Sequence, residues 1–260
     1  MARFDATNRF SNRVEDYVRY RPHYPQAVVD TLREACGLAP GAAVADVGSG
    51  TGILSQMFLR AGCRVYGVEP NREMRKAGEH VLRAFASFVS VDGTAEATTL
   101  PAASVGYVAA GQAFHWFDPP SARAEFARIL APRGWVALVW NSRRKHGTPF
   151  LDAYERLLRR WGVDYAEVDH DRITDGDIAA FFAPGRCAKR TFPNRQELDL
   201  EGARGRLESS SYAPPPGHPD HGPMLDELHE IFRRTNRGGA VAFEYETILY
   251  FGRLDAGSAE

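Results

Sequence analysis

The stretch "VADVGSGTG", Val44 to Gly52, decides how this 260-residue chain is read. A short apolar run carrying one carboxylate, Asp46, leads into three glycines two apart, Gly48, Gly50 and Gly52, and then into "ILSQMFLRAG". In that last segment Ile53, Leu54, Met57, Phe58 and Ala61 recur at helical spacing, and Gly62 supplies a C-terminal cap. The pattern predicts a strand, a glycine turn and a helix over 53–61. Glycines in such a turn permit positive φ and let a ligand approach with no Cβ in the way, while the helix N-terminus offers free N–H groups and a positive dipole end. A tight turn without a ligand would need the same residues. Asp46 adds information, because a carboxylate inside a buried strand must bond donors from the turn or from a ligand.

Downstream the rhythm repeats. "CRVYGVE", a helix over 71–85, "SFVSVDG", "VGYVAAG" (Val105 to Gly111), a helix through Ser121 to Leu130, a Pro132-Arg133-Gly134 turn and "WVALVWN" alternate strand with helix. That alternation predicts an α/β fold with a parallel sheet. Residues 148–182 change character and read as helices. "CAKRTFPNRQEL" and "AVAFEYETILYFGR" read as a late strand pair, separated by a polar helix and the loop "APPPGHPDHGP", and are expected to close the sheet antiparallel. The expected organisation is a single domain over 1–260: a cover over 1–30, a cofactor-binding core over 31–145, a helical insertion or lid over 146–185, and C-terminal strands over 186–260.

The glycines follow GxGxG, with Ile53 where a dinucleotide fingerprint would place Gly or Ala, and Glu69 stands at the end of the next strand. An acidic group there can accept both hydroxyls of a ribose. The expected ligand is a nucleoside rather than a dinucleotide, and a Tyr-x-x-x-Lys pair for hydride chemistry is missing.

Composition narrows the partners. A net charge of -1 gives no bulk field to attract a polyanion, so no nucleic acid partner is expected. The three cysteines form no CxxC pair, which supports neither a disulfide framework nor a zinc ribbon. The N-terminal residues lack an apolar signal core, and the longest strongly apolar run, Trp135 to Trp140, is too short for a bilayer. A cytoplasmic protein without a membrane partner is expected, as monomer or homodimer.

Taken in order, "VADVGSGTG", "VYGVEPN", "VSVDGTAEATTLP" and "AGQAFHWFD" resemble the class I S-adenosylmethionine-dependent methyltransferases. "YVRYRPHYP", "GRLESSSYAPPPGHP" and "FEYETILYFGR" look like a small-molecule branch that includes the trans-aconitate-like enzymes. The resemblance implies a Rossmann-like sheet, mostly parallel with an antiparallel C-terminal edge strand and helices on both faces. It implies S-adenosylmethionine as cofactor and S-adenosylhomocysteine as product. Asp46 and the loop of Gly48, Ser49, Gly50 and Gly52 would hold the methionine end, Glu69 the ribose, and Pro70, Asn71 and Met74 would flank the adenine. Asp92, Gly93 and Thr94 would meet the adenine edge, Gln112 would close the cradle near the sulfonium, and Arg21 would reach the methionine carboxylate, which a guanidinium can meet bidentately.

For the acceptor, Tyr17, Tyr20 and Tyr24 are expected to fold over the pocket, and His115, Trp116, Trp140, Asn141 and Tyr212 to line it. His115 and Gln112 are the catalytic candidates, with packing preferred for His115. Arg143, Arg144 and Lys145 are either a solvated loop or a draw for an anionic acceptor. His218 and His221, and the "DHD" at Asp169 to Asp171, lack a third ligand, so no metal is assigned. The expected activity is methyl transfer to an O or N atom of a small molecule by in-line displacement. An RNA or protein methyltransferase and a non-catalytic cofactor-sensing protein are the alternatives.

Overall fold

The computed structural model describes residues 19–163, 165 and 173–255. Seven strands form one sheet in the order β3-β2-β1-β4-β5-β7-β6: β1 (Ala43–Val47), β2 (Arg64–Val68), β3 (Phe88–Val91), β4 (Val105–Gly111), β5 (Leu130–Arg143), β6 (Cys187–Leu198) and β7 (Val241–Gly252). The first five pair in parallel, and β7 runs antiparallel to both β5 and β6. The sheet is therefore mostly parallel with an antiparallel end, and its outermost strand is β6, since the later strand β7 inserts between β5 and β6.

Strand alternation builds two cores. Ala45 and Val47 of β1 join Val108, Ala110 and Leu138 on one face, whereas Val44 joins Val65, Ala109 and Val139 on the other. On the second face lie α1 (Ala27–Cys36), α2 (Ile53–Arg60) and the end of α3 (Arg72–Leu82), through Val28, Leu32, Leu54, Phe58 and Leu82. On the first lie α4 (Pro119–Ile129) and α6 (Asp175–Phe182), which bury Phe126, Ile129, Phe181 and Phe182.

A third core unites α5 (Pro149–Trp161), α7 (Leu200–Glu208) and α8 (His221–Thr235) with Phe243 and Tyr245 of β7. The two helices expected in one insertion thus part company, α6 packing on the sheet and α5 on α8. The expected Pro132–Gly134 turn lies within β5 as a bulge: Leu130 pairs with Val105 and Trp135 with Tyr107, with Arg133 at φ +65°. Side-chain caps set several helix starts. Asn71 Oδ1 accepts the N–H groups of Glu73 and Met74, both at 3.0 Å, and Asp118 and Thr148 cap α4 and α5 ahead of prolines at the first helical position. No helix among the described residues is long and apolar enough to cross a membrane.

Candidate functional site: a cleft at the carboxyl ends of the parallel strands

A cleft of about 240 Å³ opens where β1, β2 and β4 end, the position at which open α/β sheets bind ligands. The turn after β1 forms its floor. Gly48 and Ser49 donate their N–H groups to Val68 O at 2.8 and 3.1 Å, which ties the turn to β2. Gly48 has φ +69°, and a Cβ on it would stand 2.6 Å from Ala113 Cβ, so only glycine lets the turn pass beneath the loop after β4. Gly52, at φ +86°, would place a Cβ 2.5 Å from Leu82 Cδ1. Two of the three glycines thus meet the packing demands of the turn, while the N–H of the middle one serves the next carboxylate.

That carboxylate is Glu69. Its Oε2 accepts Gly50 N–H and its Oε1 accepts Asn71 N–H, both at 2.9 Å. Burial pushes its carboxyl up, opposed by those two hydrogen bonds and by Arg75. Each oxygen retains lone-pair capacity for a further donor.

Asp46 is less well satisfied. It is 1% exposed; Oδ2 accepts Ser55 Oγ–H at 2.6 Å, and Oδ1 has no partner. Burial, with a contribution from Glu69, raises its carboxyl to about 7, against the Ser55 hydrogen bonds. Thr51 Oγ1, also buried and lining the cleft, has no partner either. A buried unpaired acceptor beside an unpaired hydroxyl, at a helix N-terminus, fits a ligand that brings an ammonium and a carboxylate.

Across the cleft Gln112 adopts φ +53°, rare for a non-glycine residue. Gln112 N–H donates to Val139 O at 2.9 Å, and its Oε1 accepts Asn141 N–H at 2.8 Å, which together hold the strained turn. Asn141, 6% exposed, in turn accepts Thr247 Oγ1–H at 2.5 Å and Asn194 Nδ2–H at 3.1 Å on Oδ1, and donates to His23 O at 3.3 Å. One amide therefore joins β5, β6, β7 and the N-terminal segment.

Of the expected cofactor residues, Asp46, Gly48, Ser49, Gly50, Glu69, Pro70, Asn71, Met74, Thr94 and Gln112 line the cleft, as do Tyr24 and Trp116 from the acceptor set. Gly52 supports the turn from behind. Asp92 stands outside the lining, its exposed carboxylate paired with Arg75 at 2.8 Å. Gly93 is also outside, and a Cβ there would come 2.8 Å from Thr98 O, so that glycine answers to its own loop. Thr51, Leu54, Ala95, Glu96, Ala113 and Phe117 line the cleft without having been singled out. Glu96 had a weak signal, lying inside "DGTAEATTL" directly after the third strand.

The N-terminal segment is drawn elsewhere. Arg21 Nη2 donates to Ser209 O at 2.7 Å, and Tyr20 Oη donates to Glu201 at 3.1 Å with its ring pressed on Gly205. Neither lines the cleft, while Tyr24 closes over Gly111, where an added Cβ would lie 2.7 Å from Tyr24 Oη. Tyr17 lies outside the described residues. His115 is half-buried and packed at a tilt of 48° against Trp116, ring centroids 4.7 Å apart, and does not line the cleft. Trp140 and Asn141 border a separate hollow of about 90 Å³ with Tyr250, where Trp140 packs edge-on to Phe114 and Tyr250. Tyr212 is half-buried beside Tyr165 in the third core. His221 pairs with Glu208, and His218 accepts Asp220 N–H.

A sheet in this order, with a glycine turn under a strand-end carboxylate, defines the class I methyltransferase fold. Comparison with known proteins agrees with that fold: residues 45–138 match the family model described as "Methyltransferase domain". Over 143 residues, 55% of this chain and 56% of that protein, it is 41% identical to an uncharacterized methyltransferase of Mycobacterium tuberculosis. Over 155 residues, 58% of this chain and 59% of that protein, it is 31% identical to an uncharacterized methyltransferase of Schizosaccharomyces pombe. The match thus spans a little more than half the length of these curated relatives. Among solved structures, a protein from Anaeromyxobacter dehalogenans described as a type II methyltransferase superposes with TM-score 0.64 at 23% identity, covering 90% of this chain and 98% of that one. A SAM-dependent methyltransferase from Aquifex aeolicus gives 0.52 at 14% identity, covering 92% and 97%. At these identities the structural likeness shows the fold.

Proposed function

We propose that the protein transfers the methyl group of S-adenosylmethionine to an O or N atom of a small-molecule acceptor by in-line displacement. The observation that carries this reading is the pair of orphaned buried oxygens, Asp46 Oδ1 and Thr51 Oγ1, lining a glycine-turn cleft that also holds Glu69. When bound, the cofactor supplies an electrophilic methyl on a sulfonium. Everything else falls to the chain.

Asp46, ionised, would take the methionine ammonium, and Thr51 Oγ–H with the free N–H groups of α2 would take its carboxylate. Glu69 would accept the ribose hydroxyls with the capacity left beyond Gly50 and Asn71. Met74 and Pro70 would flank the base, while Thr94, Ala95 and Glu96 close that end. Tyr24, Trp116 and Phe117 exclude water, which sharpens every electrostatic contact inside. Gln112, fixed through Asn141, would orient the acceptor against the methyl group, and alignment of this kind is the main catalytic contribution in such a displacement. A carboxylate or phenolate acceptor needs no general base; an alcohol or protonated amine would. His115, packed against Trp116, supports that wall residue from outside the cleft in this reading. A cytoplasmic location and the absence of a nucleic acid partner belong to the same proposal.

The test is methyl transfer from labelled cofactor to fractionated small metabolites, read by mass spectrometry. A labelled product in a small-molecule fraction is expected. Tight cofactor binding with product only on RNA or protein, or with none at all, would refute the small-molecule reading.

A further inference from the structure

The cover of the cleft is held from the far edge of the sheet. Tyr24, which lines the cleft and packs on Gly111, follows His23, and the hydrogen bonds of α1 begin only at Pro25, whose carbonyl accepts Val28 N–H at 3.1 Å. The carbonyls of Tyr20 and His23 are met instead by side chains of β6, the outermost strand. Asn194 Nδ2 donates to His23 O at 2.7 Å, and Gln196 Nε2 donates to Tyr20 O at 2.9 Å. These two amides stand two residues apart on one strand, so they project from the same face and hold the segment at both ends.

Asn194 reaches the opposite wall as well. The same Nδ2 donates to Asn141 Oδ1 at 3.1 Å, while Asn141 Nδ2 donates to His23 O at 3.3 Å and Asn141 N–H holds Gln112 Oε1 at 2.8 Å. Both hydrogens of the Asn194 amide are thus used, which a carboxylate of the same shape could not supply. Thr247, paired with Asn141 across β5 and β7, fixes the orientation of the Asn141 amide by donating to its Oδ1. Tyr24 and Gln112 enter the cleft from different segments, and the bonds among His23 O, Asn141 and Asn194 set their spacing. Gln196 is anchored in turn in an arginine–tyrosine cluster of the third core. Its Oε1 accepts Tyr245 Oη–H at 3.4 Å, that hydroxyl accepts Arg206 Nε–H at 3.2 Å, and Arg143 crosses the ring of Tyr154 in the same core at 5.2 Å. Asn194 is half-buried, and its backbone pairs with Tyr245 in the β6–β7 ladder whatever side chain it carries.

We propose that Asn194 is a positioning residue for the methyl-transfer site: its two N–H groups hold His23 and Asn141 so that Tyr24 stays closed over the cofactor while Gln112 keeps its place opposite. This assignment rests on the methyltransferase reading. Asn194 does not itself line the cleft, and it acts on how long the cleft stays shut from a strand three places along the sheet from β4. Neutral hydrogen bonds of this kind contribute modestly one by one, so the segment can still open to admit a ligand.

The probe is S-adenosylhomocysteine, whose dissociation from the full chain is followed by stopped-flow tryptophan fluorescence, since Trp116 lines the cleft. Asn194→Ala should speed dissociation about fivefold, the scale of one neutral hydrogen bond lost from the closed state. Asn194→Asp, nearly the same size, presents carboxylate oxygens where donors are needed and should speed it about tenfold or more. Hydrogen exchange over residues 20–24 should rise in both variants of the free protein, with β1 unchanged. Arg195→Ala, on the exposed face of β6 where its guanidinium meets Glu197, should alter neither readout. A merely structural role for Asn194 predicts a lower unfolding temperature with the dissociation rate unchanged, and that result overturns the assignment. Unchanged exchange over 20–24 in both variants overturns it as well. Failure of S-adenosylhomocysteine to bind the unmodified protein would overturn the cofactor reading and this assignment with it, whereas normal binding with dissociation unaltered in both variants overturns the positioning role alone.

Discussion

The two polar sites of this molecule are built in opposite ways. The strand-end cleft is assembled mainly from consecutive turns along 46–117, each following the strand that precedes it in sequence, and its carboxylate Glu69 is satisfied by backbone donors 2 and 19 residues away. The arginine–tyrosine cluster draws on residues 21, 143, 154, 206, 212 and 245, brought together only by the completed fold. The cleft holds unsatisfied acceptors and a raised acid; in the cluster the Tyr154 hydroxyl is buried without a hydrogen-bond partner, and the Arg206 guanidinium donates to neutral oxygens. A strand-end turn can present a binding surface before the rest of the chain has packed, whereas the cluster exists only once β7 and α7 are in place.

The sharpest way to break the contrast is at the turn itself. Gly48→Ala combines positive φ with a Cβ 2.6 Å from another short side chain that cannot yield. It should lower stability by about 3 kcal/mol in urea unfolding; a value near zero would mean that the turn is not fixed by packing.

Asp46→Asn probes the raised acid. With a folded value of about 7 against an ordinary 3.8, the folded protein without cofactor keeps a proton that the unfolded chain releases. Stability from this group is therefore complete below the unfolded value and is lost as pH rises through 7, at up to about 1.4 kcal/mol per pH unit. His23, whose value is lowered by desolvation and by Arg60, has the opposite slope, so unfolding curves should be compared between protein and variant. Cofactor binding needs the ionised form and should strengthen with pH up to about 7 in the unmodified protein, with a flat profile in Asp46→Asn by calorimetry.

Glu69→Ala should weaken cofactor binding by roughly 1 to 3 kcal/mol. Because it also frees Gly50 and Asn71 N–H, some stability should go with it, which calorimetry and thermal unfolding together would separate. The smallest effect belongs to His115→Gln, expected to change cofactor affinity by less than about 0.5 kcal/mol. A large loss of turnover at constant affinity would bring His115 into the chemistry.

The same contrast explains what could be read from the sequence. Between Val44 and Asn141 the five parallel strands and the α-helices between them are announced by short-range periodicity, and ten of the expected cofactor residues line the cleft. What escaped was long-range. The pairing of 136–143 with 245–252 leaves no local trace of which late strand is interior. Arg21, expected at the methionine carboxylate, instead meets Ser209 O, 188 residues away, and Tyr20 meets Glu201, 181 away. Asp92 pairs with Arg75 of the neighbouring helix, 17 residues away. Arg206 carried no signal, since nothing in "GARGRLESSSY" distinguishes a buried arginine from a solvated one.

The insertion of β7 between β5 and β6 also fixes an order of events at the ribosome. A nascent chain can lay down the five parallel strands as they emerge, but β5 then waits with an open edge for about a hundred residues, from Arg143 to Val241, before its partner is made. Among the described residues β6 has no other strand neighbour and must wait as well. An exposed strand edge is a template for association with other chains. The growing polypeptide is therefore most vulnerable late in synthesis, and chaperone demand should peak after β6 has been translated and end when β7 docks.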